Sequence, residues 1–353
     1  MKVIQVVKNF GPIGGMEEYV FNLSKGLASQ EIAVTVLCER QVAKAPLGIQ
    51  VVVLGKNRKP HWISHFRFSS SVDRWLKDHP EKNRIIHSHE RQKSHHLSTF
   101  HTTPFGGDKR KKLLHRVSPR HLLYEYLERR ELMGPNTKAI ITYSSNHRKS
   151  LLKKHPKAEP LLSSPIGPGV SFGKEIERSR NAVETGGGRI GFIGKEWKRK
   201  GLDTVAEIWR TLKKERPKLQ LAIAGVRAEE ITHLFRLREP DVEILGWIDD
   251  KLSFYQSIDL LLHPAHKEAF GMVITEAMTV GIPVLCSTEC GASELVTESF
   301  GTHLPVSTKT DDWVGETSRM LSDFSPKGTF LRSWTQVASE YLETYRKIME
   351  GCQ

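Results

Sequence analysis

Short apolar runs alternate along the chain with stretches in which apolar positions recur every three or four residues. KVIQVV (2–7), IAVTVLC (32–38), GIQVVVL (48–54), RIIHSH (84–89) and KAIITYS (138–144) have the length and β-branched content of buried strands. Between the first two, MEEYVFNLSKGLA places Tyr19, Val20, Leu23 and Leu27 on one helical face. A Pro/Gly-rich stretch, SSPIGPGVSFG (163–173), and a Gly-rich one, ETGGGR (184–189), interrupt the pattern. The alternation then restarts with IGFIG (190–194), a helical LDTVAEIWRTLKKE (202–215), LQLAIAG (219–225), VEILG (242–246), IDLLLHP (258–264) and GIPVLC (281–286). The tail LRSWTQVASEYLETYRKIME spaces Leu331, Trp334, Val337, Tyr341, Leu342, Tyr345 and Ile348 as one face of an amphipathic helix.

Strand–helix alternation of this kind predicts parallel sheets covered by helices. A chain of 353 residues exceeds one ordinary core. The expected fold is therefore α/β, with two Rossmann-like domains facing across a cleft. The boundaries read from the pattern are 1–164 for the first domain and 165–330 for the second. Residues 331–353 form a helix returning to the first. Ligands of open parallel sheets bind outside the carboxyl ends of the strands, so residues immediately after strands carry the functional expectation.

Composition narrows the setting. The N-terminal apolar run stops at Lys8, too short for a signal-peptide core, and no run approaches the roughly 18 apolar residues of a spanning helix. A soluble, cytoplasmic protein is expected. Cys38, Cys286, Cys290 and Cys352 are too few and too irregular for a disulfide framework. The net charge of +13 is uneven, because residues 108–157 hold fourteen Lys/Arg against four Asp/Glu. Such a region suits phosphate-rich partners: nucleic acid, an anionic membrane or a phosphorylated substrate.

Three stretches after strands could carry chemistry. NFGPIGGMEEYV sets Gly14 and Gly15 before a helix, either as a plain tight turn or as a close approach for an anion; its spacing is not G-x-G-x-x-G. FIGKEWKRKGLDT places Lys195, Lys198, Arg199 and Lys200 after a strand, either as a solvated basic loop or as a grip on a diphosphate. HPAHKEAFGMVITEAM sets Glu268 ahead of a helix that begins near Phe270 and Glu276 within it, with seven residues between the two acids. Backbone amides around Gly271 would face an anion. Two acids so placed suit the ends of one elongated ligand better than acid–base work on a single bond.

Taken together, E-x7-E between strand and helix, the basic K-R-K-G loop and the N-terminal GG turn resemble retaining glycosyltransferases of the GT-B fold, GT4 type. GKEWKRKG and LLLHPAHKEAFGMVITEAMTVGIPVL look most like lipopolysaccharide-core hexosyltransferases. The resemblance implies that Glu276 holds the ribose hydroxyls of a nucleotide-sugar and that Glu268 contacts the donor sugar. It implies that Arg199 and Lys200 hold the diphosphate, with Lys195 as a substitute for Arg199. Gly14, Gly15, Phe270, Gly271, Met272 and Val273 would complete the cradle. His101 in STFHTTPF matches a family histidine near the reacting sugar. PIGPGVSF lacks the aspartate often found in that linker.

The implied activity is retaining transfer of a hexose, from a UDP-sugar by preference, to a glycolipid or polysaccharide acceptor in surface-glycan assembly. No D-x-D follows a strand, so no cofactor and no divalent metal are expected. His87, His89, His95, His96 and His101 lack a completing carboxylate pattern and are read as core or loop histidines, with His101 lining the acceptor side. Residues 106–134 mix cations with Leu113, Leu114, Val117, Leu122, Leu123, Tyr126 and Leu127. They form either a helix packed on its own domain or a patch on anionic lipid at the inner face of the cytoplasmic membrane. The rival readings are a basic nucleic-acid-binding protein, weakened because aromatics do not interleave the charges, a dinucleotide oxidoreductase, disfavoured by the missing glycine fingerprint, and a sugar-nucleotide epimerase.

Overall fold

The computed structural model describes residues 1–55, 61–105, 118–172, 186–235 and 239–351. The chain divides into two units, residues 1–171 with 332–353, and residues 172–331. Each unit is built on a six-stranded, all-parallel sheet.

In the first unit the strands are β1 (Lys2–Val6), β3 (Ala33–Cys38), β5 (Ile49–Val53), β6 (Arg84–Ser88), β7 (Leu97–Thr99) and β8 (Ala139–Ile141). They lie in the order β5-β3-β1-β6-β7-β8, and β2 (Asn9–Phe10) pairs with β4 (Arg40–Gln41) in a two-residue annex. In the second unit β9 (Arg189–Ile193), β10 (Gln220–Ala224), β11 (Val242–Gly246), β12 (Leu260–His263), β13 (Val284–Ser287) and β14 (Gly301–Leu304) follow the order β11-β10-β9-β12-β13-β14. Both sheets thus run 3-2-1-4-5-6, the doubly wound Rossmann order, with the strand order reversing between β1 and β6 and between β9 and β12. Those reversals open a crevice at the strands' carboxyl ends.

The apolar runs become central strands because both of their faces are covered. Val3, Ile4, Val36 and Leu37 have no exposed surface, nor do Ile190, Phe192, Leu221, Ile223, Leu260 and Leu262. The short strands β7 and β14 carried no clear sequence signal: LST and GTHL hold too few apolar residues to form a run. The Leu202–Leu212 helix buries Val205, Ile208, Trp209 and Leu212 in the second core.

The last helix, Trp334–Glu350, starts with a capping box: Ser333 accepts from the Gln336 amide, and the Gln336 side chain accepts from the Ser333 amide. Leu331 therefore lies ahead of the helix and is 54% exposed, contrary to its place on the expected apolar face. A Cβ on Gly26 would stand 2.5 Å from the Trp334 carbonyl oxygen, so this helix lies close on Gly15–Ala28. Tyr19 and Tyr341 hydroxyls join the two at 2.8 Å. Residues 163–170 stay with the first unit, past the break read at 164, because Ser163 and Ile166 amides bond to Ile140 and Thr142 carbonyls and Val170 to Arg332.

Candidate functional site

The second unit gathers charged groups at its switch point. After β9 the loop 194–201 carries the cations, and after β12 the loop 264–271 carries the acid. Gly201 joins them: its φ is +79°, and a Cβ there would stand 2.2 Å from the Pro264 carbonyl oxygen. Only glycine meets both demands. The His266 amide then bonds to the Arg199 carbonyl at 2.9 Å. Lys200 folds back over Gly194, where a Cβ would meet its stem at 2.3 Å.

Arg199 Nη1 and Lys200 Nζ both reach Glu268 Oε2, at 3.1 and 3.2 Å. Arg199 also donates to the Lys267 carbonyl at 2.5 Å, and through Nε and Nη2 to Glu196 Oε2 at 3.0 and 2.6 Å. Burial alone would push the Glu268 carboxyl up. Lys200, Arg199 and His263 overcome it and hold the pKa at about 2. The same carboxylate, with Glu196, holds Arg199 above the usual guanidinium value against the effect of its burial. The Glu268 backbone is pinned in turn, its amide to the Glu289 carbonyl and its carbonyl to the Gly291 amide.

Gly271, at φ +93°, is the N-cap of the helix Met272–Thr279. The helix thus begins two residues after the expected Phe270, which is buried and whose carbonyl bonds to the Ala292 amide. Met272 and Val273 supply the opening amides, ahead of the first i→i−4 bond and at the positive end of the helix dipole. Glu276, on the same helix, is only 4% exposed. Its Oε2 accepts from the Tyr255 hydroxyl at 2.6 Å and its Oε1 from Lys251 Nζ at 3.0 Å.

Lys195 is exposed, and the ion pairs to Glu268 come from Arg199 and Lys200. Gly14, Gly15 and His101 belong to the first unit. Gly14 is the N-cap of its helix in extended backbone, and a Cβ on Gly15 would meet nothing within 4 Å. The Glu17 carboxylate lies against Gly14, so this turn already carries an acid.

His101 has both ring nitrogens engaged. Nε2 bonds to His89 Nδ1 at 2.7 Å and Nδ1 to the Tyr143 hydroxyl. His89 Nε2 donates to Gln5 Oε1 at 2.6 Å, so His89 accepts at Nδ1 and His101 donates from Nε2. His87 bonds to Tyr345 and Thr99, each at 2.7 Å. Burial lowers the pKa of all three rings well below the usual imidazole value. The histidine-rich stretch is thus largely a buried hydrogen-bonded chain; no metal-holding group of three His, Cys, Asp or Glu occurs among the described residues.

Sequence reading passed over four residues here. Glu196 grips Arg199 from three positions away, and Lys251 and Tyr255 grip Glu276 from one helical face. Their i,i+4 spacing was visible, but not what that face meets. His263, the last residue of β12, is fully buried, with neither ring nitrogen paired among the described residues. Burial, then the Lys200 charge, lower its pKa to about 3. Cys38, Cys286 and Cys290 are free and buried, and burial raises the Cys290 thiol to about 12. Cys352 lies outside the described residues.

Two doubly wound units, with two acids and a basic loop at the switch point of the second, have the architecture of the GT-B fold. Residues 13–161 match the model of Glycosyltransferase Family 4, and residues 173–327 match that of the glycosyl transferases group 1. The chain belongs to this family and is a glycosyltransferase. It is 22% identical to the lipopolysaccharide glucosyltransferase WaaG of Escherichia coli K12, over 94% of this chain and 92% of the relative. The crystal structure of WaaG, a glycosyltransferase involved in lipopolysaccharide biosynthesis, superposes with a TM-score of 0.76 at 19% identity, covering 99% and 98% of the two chains. Anabaena Alr3699/HepE in complex with UDP-glucose superposes at 0.66 and 17% identity, covering 100% and 99%.

Proposed function

We propose that the protein transfers a hexose, with retention of configuration, from a nucleotide-diphospho-sugar to a glycolipid or polysaccharide acceptor in the assembly of a surface glycan such as lipopolysaccharide core. The observation that carries this reading is the Arg199–Glu268–Lys200 cluster at the β9/β12 switch point. Arg199 and Lys200, with the Met272 and Val273 amides, hold the diphosphate and stabilise the charge that develops as it leaves. Preorganised donors of this kind are usually the largest catalytic contribution, and losing one costs on the order of 10²–10³-fold. Glu268 meets donor-sugar hydroxyls, and Glu276 meets the ribose. The chain's own cations supply the positive charge, so the reading needs no divalent metal. The name of WaaG, a glucosyltransferase, favours a hexose, and the UDP-glucose bound to HepE favours a UDP-sugar as donor. The acceptor hydroxyl attacks the face from which the diphosphate departs, and His101 belongs to the acceptor half.

The acceptor half also carries a membrane-facing surface in this reading. On the helix Pro119–Met133, Leu122 and Tyr126 are 54% and 55% exposed, beside Arg120, Arg129 and Arg130. Arg130 lies over the rings of Tyr126 and of the exposed Phe66. Cations snorkelling beside exposed apolar groups suit anionic lipid. Residues 106–117 of the same stretch lie outside those described. No described helix is long and apolar enough to cross a membrane. The protein then works as a peripheral enzyme on the cytoplasmic side.

Thermal denaturation with UDP, GDP, ADP, CMP and NAD, each with Mg²⁺ or EDTA, tests the donor class. A ligand at a hundred times its Kd adds about 2.7 kcal/mol of stability. A shift with one nucleoside diphosphate, unchanged by EDTA and lost in Glu276→Ala, is expected. A shift with NAD alone would favour a dinucleotide oxidoreductase instead. The anomeric proton of the first-formed product reports retention directly.

A further inference from the structure

The carboxylate of Glu276 is held from two sides by one face of a neighbouring helix. Asp250 caps Lys251–Gln256, accepting from the Ser253 amide at 3.0 Å and from the Ser253 hydroxyl at 2.5 Å. That cap fixes the first turn, where Lys251 begins. Lys251 and Tyr255, at i and i+4, lie on the same face. Tyr255 is fully buried, with its ring against Phe172 and Phe254 at 5.9 and 5.6 Å. Its hydroxyl is therefore delivered from a fixed ring to Glu276 Oε2, while Lys251 Nζ reaches Oε1.

An ionised carboxylate offers about four acceptor positions, two on each oxygen. The phenol takes one on Oε2 and the ammonium one on Oε1, leaving, among the described residues, one on each oxygen. A vicinal diol brings two adjacent hydroxyl donors. We propose that Lys251 and Tyr255 are positioning residues that fix the orientation of the Glu276 carboxylate, with one acceptor site per oxygen turned to the 2′- and 3′-hydroxyls of the donor ribose, and so set the preference for a ribonucleotide over its 2′-deoxy form. This rests on the assignment of Glu276 to the ribose. A deoxynucleotide would leave one buried acceptor of this carboxylate without a partner, which is costly where water is excluded.

The test compares UDP with 2′-deoxy-UDP, and GDP and ADP with their 2′-deoxy forms, by calorimetric titration of the full-length protein. The wild type is expected to favour the ribo form of whichever diphosphate it binds by roughly 10- to 100-fold. Tyr255→Phe, which removes one oxygen, and Lys251→Met, which keeps the stem, should each cut that ratio several-fold. Inorganic pyrophosphate, which lacks a ribose, should bind both variants as it binds the wild type. Glu276→Gln should bring the ratio close to one. If Glu276→Gln keeps the wild-type ratio, the ribose assignment fails and takes this inference with it. If Glu276→Gln collapses the ratio while Lys251→Met and Tyr255→Phe leave it intact, the inference alone is overturned. Equal weakening of ribo, deoxy and pyrophosphate binding would mark a merely structural role and would also overturn it.

Discussion

Lys200 and Glu268 form an ion pair at 3.2 Å in which the acid already occupies the cation that a diphosphate would need. Arg199 is held by the same carboxylate oxygen at 3.1 Å. Glu268 therefore tempers the positive charge of the loop. Glu268→Gln should bind a bare nucleoside diphosphate more tightly than the wild type, by several-fold, while kcat falls. Inhibition by the free diphosphate, set beside turnover with the intact donor, checks it. Weaker inhibition in the variant would show that Glu268 does not oppose the phosphates. Lys200→Met should lose kcat on the order of 10²–10³-fold.

Gly201 is the position least open to change in the loop. A side chain there must adopt a left-handed backbone, which costs about 1–2 kcal/mol, and must also clear the Pro264 carbonyl at 2.2 Å. Gly201→Ala should lower stability by more than about 2 kcal/mol and displace Arg199 and Lys200. Urea unfolding measures the first effect and diphosphate affinity the second. Gly15→Ala, where a Cβ meets nothing within 4 Å, should leave stability within about 0.5 kcal/mol.

Acid should destabilise the protein in two overlapping windows. His263, held down to about 3 from 6.5, stays neutral in the folded chain while the unfolded chain takes up a proton. That stability is present above pH 6.5 and is lost as pH falls from there toward 3. Glu268, held at about 2 from 4.5, contributes stability that is present above pH 4.5 and is lost as pH falls toward 2. His87, His89 and His101 act in the same direction as His263. The thermal midpoint of the wild type should drop steadily below pH 6.5. His263→Leu, which removes two unpaired buried nitrogens, should flatten that slope without lowering the midpoint at pH 7.5. A marked loss at pH 7.5 would mean that the imidazole has a partner in solution.

The surface of the helix Pro119–Met133 makes a separate prediction. Leu122→Ser with Tyr126→Ser should weaken binding to vesicles containing phosphatidylglycerol by several-fold and leave diphosphate binding unchanged. Each cation near anionic lipid contributes about 1 kcal/mol, so raising salt should release wild type and variant alike. Vesicle sedimentation reads both. Equal binding by the two proteins would place lipid contact elsewhere.

The two-sheet fold was legible in the apolar runs because central parallel strands are buried on both faces and so form uninterrupted patterns. Leu97–Thr99 and Gly301–Leu304 escaped for the opposite reason: LST and GTHL mix polar residues or glycine with single leucines and form no apolar run. Arg199, Lys200 and Glu268 could be named from strand ends and charge, and the structure brings those three into contact. What could not be read was which cation pairs with which acid. Lys195 and Arg199 are both cations of one loop in the sequence, and only the fold shows that Arg199 is the one that reaches Glu268. Leu331 joined the helical pattern by spacing alone, yet the Ser333 cap starts the helix beyond it. Lys251 and Tyr255 were invisible as site residues because their role depends on a partner twenty residues away or more.

The stem at Val170 and Arg332 has a consequence for dissecting the protein. The Val170 amide donates to the Arg332 carbonyl at 2.8 Å, and Arg332 Nε donates to the Gly167 carbonyl at 3.2 Å. The second unit is thus an insert in the sequence of the first, whose entry and exit segments are stapled side by side. Shortening the gene from its 3′ end would strip the first unit of its Tyr341 and Tyr345 partners, while leaving intact the distant stretch that holds Glu268. A fragment for isolated nucleotide work is better excised between Ser171 and Arg332. The remaining ends can be rejoined by a short linker across a gap that the fold already closes.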